Sequence, residues 1–320
     1  MPHKNFLPKP YLSVVVPVYN EAGNLELLFQ RLIKALDSLN KPFEIIFVND
    51  GSRDQSFAIL EKLYQMRPGE VRVIDFVRNF GQHMAVMAGF EATQGEVIVT
   101  LDADLQNPPE EIPKLLALIE KGYDLVSGNR AIRKDNFFRK YASKIMNLLR
   151  DKLTNIRMTD EGCMLRAYSR DVVDLMVATK SSAIYVPALA YSYAANPTEV
   201  VVHHEPRFTG ESKYNLFSLI RLYFDLVTGY SLLPLQAFTL FGFVVSILSF
   251  LFFIFLVVRR IFVGPEVQGV FSLFAIMFFL VGILLMGLGI TGEYIGRIYQ
   301  EVKQRPRFAI RKILEKSSSK

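Results

Sequence analysis

The sequence predicts an α/β fold, a mostly parallel β-sheet covered by helices on both faces, followed by interfacial helices and a two-span transmembrane helical hairpin. Three observations carry that prediction. Short apolar runs alternate with helix-patterned segments through the first part of the chain, each run ends in a polar cluster, and two long uncharged stretches follow residue 215. Strands alternating with helices argue for parallel strands joined by crossovers, and roughly 20 apolar residues suffice to cross the hydrocarbon of a bilayer.

LSVVVPV, beginning at Leu12, is the first strand, and Leu25, Leu28, Phe29 and Leu32 then recur at helical spacing. FEIIFVND, from Phe43 to Asp50, is the second, with a helix expected over about 54–66. VRVIDFV, a helix from about His83, and EVIVTLD repeat the pattern. The four strand ends read PVYNE, VNDGSRD, VRNFGQH and DADLQNPP. Parallel sheets bind ligands at the carboxyl ends of their strands, so a site is expected where these four clusters meet.

Residues 226–258 and 267–292 carry no charged side chain, and a short RRIFVGPEVQ connection makes them a hairpin. Buried core helices seldom exceed about 14 apolar residues, which disfavours a soluble reading. Just before the first span, Ser218, Arg221, Asp225 and Thr228 form one narrow polar stripe. That suits a helix lying along the membrane interface, the alternative being a buried helix of the soluble domain. Arg297, Lys303, Arg305, Arg307, Arg311 and Lys312 place the tail on the cytoplasmic side. Two spans then put the first domain and both termini there. The expected organisation is a cytoplasmic domain over 1–214, interfacial helices over 215–234, the two spans over 235–293 and a basic tail over 294–320. The opening MPHKNFLPKP has no apolar run, so no signal peptide is expected.

A net charge of +6 suits anionic partners such as phosphates or a lipid surface. With Cys163 as the one cysteine, no intrachain disulfide can form, and four histidines beside it do not suggest a His/Cys zinc set. Cys163 reads as a small core residue. His203 and His204 alternate faces on a strand, so at most one can face a site, and packing is the default for both.

The strand EVIVTL runs straight into Asp102 and Asp104. If the extended geometry persists, Asp102, Asp104 and Gln106 share a face. Two adjacent carboxylates need either water or a cation. Mg²⁺ or Mn²⁺ with hard oxygen ligands would remove their repulsion and hold phosphates, with Gln106 able to add a neutral oxygen. Two aspartates so spaced are a weak signal alone. Asp50 can accept hydrogen bonds from a ribose or base, and Pro17, Tyr19 and Glu21 can form the wall and edge of a base pocket. Ordinary packing explains Tyr19 equally well, and the helix dipole explains Glu21.

Taken together, VPVYNE, VNDGSRD and DADLQNPP, in this order and spacing, resemble the GT-A-fold glycosyltransferases of family 2. RNFGQH, GNR, FRK, DEGCMLRAY and GESKY, followed by two spans, are similar to its polyisoprenyl-phosphate branch, over about residues 12–306. The resemblance implies a GT-A, Rossmann-like domain and a metal-dependent, inverting transfer of a sugar from a UDP donor to undecaprenyl phosphate at the bacterial inner membrane. It implies 4-deoxy-4-formamido-L-arabinose as the sugar, in the lipid A modification behind polymyxin resistance, with glucose or another hexose as the rival. An inactive scaffold that binds nucleotide or lipid is the alternative from a different class. Processive polysaccharide synthesis is disfavoured, because those relatives carry a QxxRW motif and this chain has no tryptophan.

By motif, the resemblance implies Mg²⁺ or Mn²⁺ at Asp102, Asp104 and Gln106. It implies the nucleotide sugar at Pro17, Tyr19, Glu21, Asp50, Asp102, Ala103, Asp104 and Arg130, with Asp160, Asp104 and Arg130 catalytic. Arg139 and Ser143 match positions that meet the lipid phosphate, and their spacing of four puts both on one helix face. Arg207 and Lys213 would do likewise or anchor the chain electrostatically at the membrane. Asp160 matches the aspartate usually taken as the base. A phosphate acceptor with a second pKa of about 6 needs little deprotonation, so an orienting or charge-stabilising role stays open. The implied partners are the UDP-sugar, undecaprenyl phosphate, membrane lipid and further copies of the chain in a homo-oligomer, with no nucleic acid.

Overall fold

The computed structural model describes residues 9–130, 160, 162–179, 185–205, 233–264, 269–302 and 306–316. The first four strands fall where the apolar runs place them: β1 (Leu12–Val18), β2 (Phe43–Asn49), β3 (Val71–Phe76) and β4 (Val97–Thr100). They are linked by α1 (Leu25–Asp37), α2 (Ser56–Met66) and α3 (Gln82–Ala92). β1 pairs in parallel with both β2 and β4, and β2 with β3. Every residue of β1 is buried because it is central and covered on both sides. Leu12, Val14, Val16 and Val18 pack with the α1 leucines and Leu60 and Leu63 of α2, whereas Val15 packs with Val86, Met87 and Phe90 of α3. Alternating side chains of one strand thus feed two separate cores.

The chain continues through α4 (Ile112–Ile119), β5 (Leu125–Arg130), β6 (Arg166–Ser169), α5 (Arg170–Ala178), α6 (Val186–Tyr193) and β7 (Pro197–Val202). After these come α7 (Leu233–Val263), α8 (Val270–Val302) and a last strand, β8 (Ile310–Leu314). The sheet order is β7-β5-β6-β4-β1-β2-β3-β8. β6 runs antiparallel to β4 and β5, β5 pairs in parallel with β7, and β8 is antiparallel to β3.

β8 corrects the reading of 294–320 as a basic tail outside the first domain. Arg311 pairs with the buried Asp75 of β3 at 3.3 Å, and Lys312 with Glu61 of α2 at 2.9 Å. Phe308 stacks on Phe76 with centroids 5.1 Å apart. Two cations counted toward a cytoplasmic basic tail therefore cover a sheet edge, where lysine-rich strands also discourage further pairing. The chain divides into two compact units, 1–144 with 156–213 and 305–320, and 145–155 with 214–304.

In the second unit, Leu235–Arg259 and Ile276–Gly296 are long and apolar enough to cross a membrane. Phe243, Phe250, Phe278 and Phe279 on these helices are each more than 60% exposed (64%, 62%, 67% and 68%), whereas a soluble core helix would bury them. Gly287 of α8 lies against the Phe238 ring of α7, where even a methyl group would collide. α8 runs to Val302, past the expected end of the second span at 293. The expected interfacial segment over 215–232 lies outside the described residues.

Candidate active site

The ends of β1 and β2 are knitted into one surface. Asn20, with φ at 55°, accepts from the Arg53 N–H at 2.8 Å, and its own N–H donates to Ser52 Oγ at 3.0 Å. The Glu21 N–H donates to Ser56 Oγ at 3.0 Å, and the Glu21 carboxylate accepts from Asn24 Nδ2 at 2.6 Å. Pro17 is buried beneath this surface and Tyr19 is exposed on it.

Asp50 is buried and braces the next loop. Its carboxylate accepts from Phe80 N at 2.7 Å, Asn79 Nδ2 at 2.8 Å and Gly81 N at 3.0 Å. Burial raises its pKa, against the lowering effect of the two backbone donors. A carboxylate offers about four lone-pair positions, so about one remains for a ribose or base. Gly51 has φ at 64°, and a β-carbon there would overlap the Arg78 backbone, so only glycine lets these two loops meet.

The aspartate pair departs from the expected geometry. β4 ends at Thr100, Leu105 is left-handed with φ at 61°, and the Gln106 N–H folds back onto Asp104 Oδ1 at 3.1 Å. Strand alternation therefore does not align Asp102, Asp104 and Gln106, and the geometric ground for Gln106 as a ligand is gone. Two carboxylates do converge. Desolvation first, and then the Asp104 charge, push the Asp102 carboxyl up to about 7, while Gln82 Nε2, 2.6 Å away, opposes the shift. Among the described residues no group of three or more His, Cys, Asp or Glu could hold a metal. A cation here would take Asp102, Asp104 and substrate phosphate oxygens, the ligand set typical of Mg²⁺. Ala103 is buried between the two.

Arg130 and Asp160 hold each other. Nε donates to Asp160 Oδ2 at 2.6 Å and Nη2 to Oδ1 at 2.7 Å, with both side chains at or below 10% exposure. The N–H groups of Arg130 and Gly162 donate to the same carboxylate at 3.3 and 3.1 Å. The hydrogen bond that Arg130 donates to Asp160 is the main reason its pKa is raised. The Arg130 charge also favours the ionised form of Asp102.

Gln82, Arg166 and His204 belong here as well, and sequence reasoning did not place them. The fully buried Arg166 braces the loop from beneath, through the carbonyls of Cys163 at 2.9 Å and Asp160 at 3.3 Å. Gln82 opens α3 directly after the RNFG stretch, the one signal that could have found it. Cys163 is a buried free thiol whose pKa is pushed up to about 11 by burial, which fits its packing role. Arg139, Ser143, Arg207 and Lys213 lie outside the described residues.

Residues 13–176 match the family described as glycosyl transferase family 2. The chain is 45% identical over 306 residues to undecaprenyl-phosphate 4-deoxy-4-formamido-L-arabinose transferase of Edwardsiella ictaluri (strain 93-146), covering 95% of this chain and 94% of that one. It is 45% identical over 313 residues to the protein of the same name from Pseudomonas syringae pv. syringae (strain B728a), covering 97% and 93%. The chain belongs to glycosyl transferase family 2. Among solved structures, glucosyl-3-phosphoglycerate synthase from Mycobacterium tuberculosis, in complex with Mn²⁺, uridine diphosphate and phosphoglyceric acid, aligns with a TM-score of 0.51. Identity is 19%, over 68% of this chain and 76% of that one, so the likeness is one of fold. The mostly parallel sheet is thus that of a GT-A glycosyltransferase. In this family 2 enzyme the aspartate pair lies just past the end of β4, and Arg130, the last residue of β5, reaches Asp160.

Proposed function

We propose that the protein transfers 4-deoxy-4-formamido-L-arabinose from its UDP donor to undecaprenyl phosphate, with inversion, at the cytoplasmic face of a bacterial inner membrane. The observation that carries this reading is 45% identity over nearly the full length, both spans included, to transferases of that name. Asp102 and Asp104 would hold Mg²⁺ or Mn²⁺, which supplies positive charge to the departing diphosphate. Arg130 gives two side-chain N–H groups to Asp160 and keeps three for phosphate oxygens, its orientation set by that fork. Positive groups fixed in advance where negative charge develops are the largest aid such a site can give. Arg139, Ser143, Arg207 and Lys213 are proposed to meet the lipid phosphate, and the enzyme to work as a homo-oligomer.

The donor is tested directly. Purified enzyme offered UDP-linked formamido-arabinose and UDP-glucose in parallel, with undecaprenyl phosphate, should prefer the first by at least about a hundredfold. A site built to hydrogen-bond a polar group strongly rejects donors lacking it. Comparable transfer of glucose would leave only a general polyprenyl-phosphate glycosyltransferase.

The proposed topology is supported by β8. The chain leaves the sheet domain after β7 and returns to pair with β3, which supports an even number of crossings between them, as the two proposed spans provide. A C-terminal reporter that is active only outside the cytoplasm should stay silent, and a positive signal would overturn the proposed orientation.

A further inference from the structure

The segment beyond β7 is fastened to the metal loop in two ways. The Glu205 N–H donates to the Gln106 carbonyl at 2.9 Å. The Glu205 carboxylate accepts from Arg31 Nη1 at 3.0 Å and Nη2 at 2.9 Å. The same guanidinium reaches Glu110, through Nε at 3.0 Å and Nη2 at 2.9 Å. Arg31 stands on α1, Glu110 just after the aspartate loop and Glu205 past the end of β7, so one side chain ties three distant parts of the sequence. The hydrogen bonds Arg31 donates to Glu205 and then to Glu110 raise its pKa, and Arg31 in turn lowers that of Glu205. Isolated surface ion pairs contribute little, but a planar fork shared between two carboxylates fixes both distance and direction.

His204 directly precedes Glu205, the residue that the clip holds. β7 runs beside β5 with Val202 opposite Arg130, so the residues that follow pass the Arg130–Asp160 pair. The His204 imidazole stands at the surface, and partial desolvation and then the Arg130 charge lower its pKa, against Asp104 and Asp160, so it faces the charged groups of the site. In sequence it lies three residues before Arg207, which is proposed to meet the lipid phosphate. Its natural partner is therefore the lipid-borne phosphate.

We propose that Arg31, acting through Glu110 and Glu205, is a positioning residue that sets the span between the metal loop and the segment after β7, and so holds His204 against the acceptor phosphate. This rests on the proposed function for the identity of the acceptor. In full-length enzyme in lipid nanodiscs, Arg31→Gln should raise the KM for undecaprenyl phosphate about tenfold, because sub-ångström misplacement of a binding group is costly. The kcat and the affinity for UDP with Mn²⁺ should stay within about twofold of wild type. Arg31→Lys, which keeps the charge without the fork, should retain most of the defect. His204→Ala should raise the same KM, and the double variant Arg31→Gln/His204→Ala should be no worse than either single one. A parallel loss of UDP affinity and kcat would mean general loosening and overturn the proposal, as would additive effects. Active wild type whose Arg31 and His204 variants keep its KM overturns the clip alone. Wild type inactive on undecaprenyl phosphate overturns the proposed function and the clip's acceptor role together.

Discussion

Replacing Asp104 with asparagine is expected to cut sugar transfer by at least about a hundredfold while leaving the protein folded and membrane-inserted. The substitution separates two roles of one side chain. Asp104 Oδ1 accepts the Gln106 N–H at 3.1 Å and so shapes the turn, and the asparagine carbonyl can accept the same bond. The charge is what disappears. Without it, the Asp102 carboxyl loses the neighbour that, after desolvation, contributes most to holding it near 7. Asp102 then ionises more readily, yet the site offers a cation one carboxylate instead of two. Transfer measured in chelator-treated membranes, with Mg²⁺ or Mn²⁺ restored, should remain near background, and metal-dependent UDP binding should weaken in step. Full activity of the variant would sink the metal site, since a merely solvated carboxylate contributes little.

The parts legible in the sequence were those whose signal is local. β1 to β4 announced themselves because a strand covered on both faces is a continuous apolar run, and α1 because its leucines repeat at helical spacing. The membrane-type helices were legible for the same reason. β8 was not, because IRKIL mixes cations and aliphatics, and its partner Asp75 lies 236 residues away. The aspartates were found by type and misjudged in geometry. Extending the strand past Thr100 ignored the left-handed Leu105, a conformation that leucine does not advertise. Arg130 and Asp160 were each named as site residues, but their pairing, 30 positions apart, is a fact of the β5–β6 neighbourhood rather than of either motif. Arg31 and His204 stayed hidden because a helix-surface arginine and a strand-end histidine most often do nothing but meet water or pack.

Asp160→Asn is expected to lower kcat/KM by roughly a hundredfold and by the same factor across the whole pH range tested. A carboxylate acting mainly as base would matter most below the acceptor's second pKa of about 6, where the lipid phosphate still carries a proton that has to leave. The loss would then deepen as the pH falls. The geometry argues otherwise. Both oxygens of Asp160 are already engaged, by the Arg130 fork at 2.6 and 2.7 Å and by the backbone N–H groups of Arg130 and Gly162. A group so surrounded by donors is a poor proton acceptor and a good anchor. Its amide replacement would turn an N–H₂ or a single carbonyl toward the guanidinium and leave a buried cation without its counter-charge, a change that costs about 3–5 kcal/mol in typical pairs. Arg130 would then swing from the place where the diphosphate leaves, and that failure has no reason to depend on the protonation of the acceptor. Rate profiles from about pH 5 to about pH 8, spanning the acceptor's second ionisation near pH 6, decide between the two. A constant ratio of wild type to variant supports the anchor, and a ratio that widens steadily toward acid restores the base.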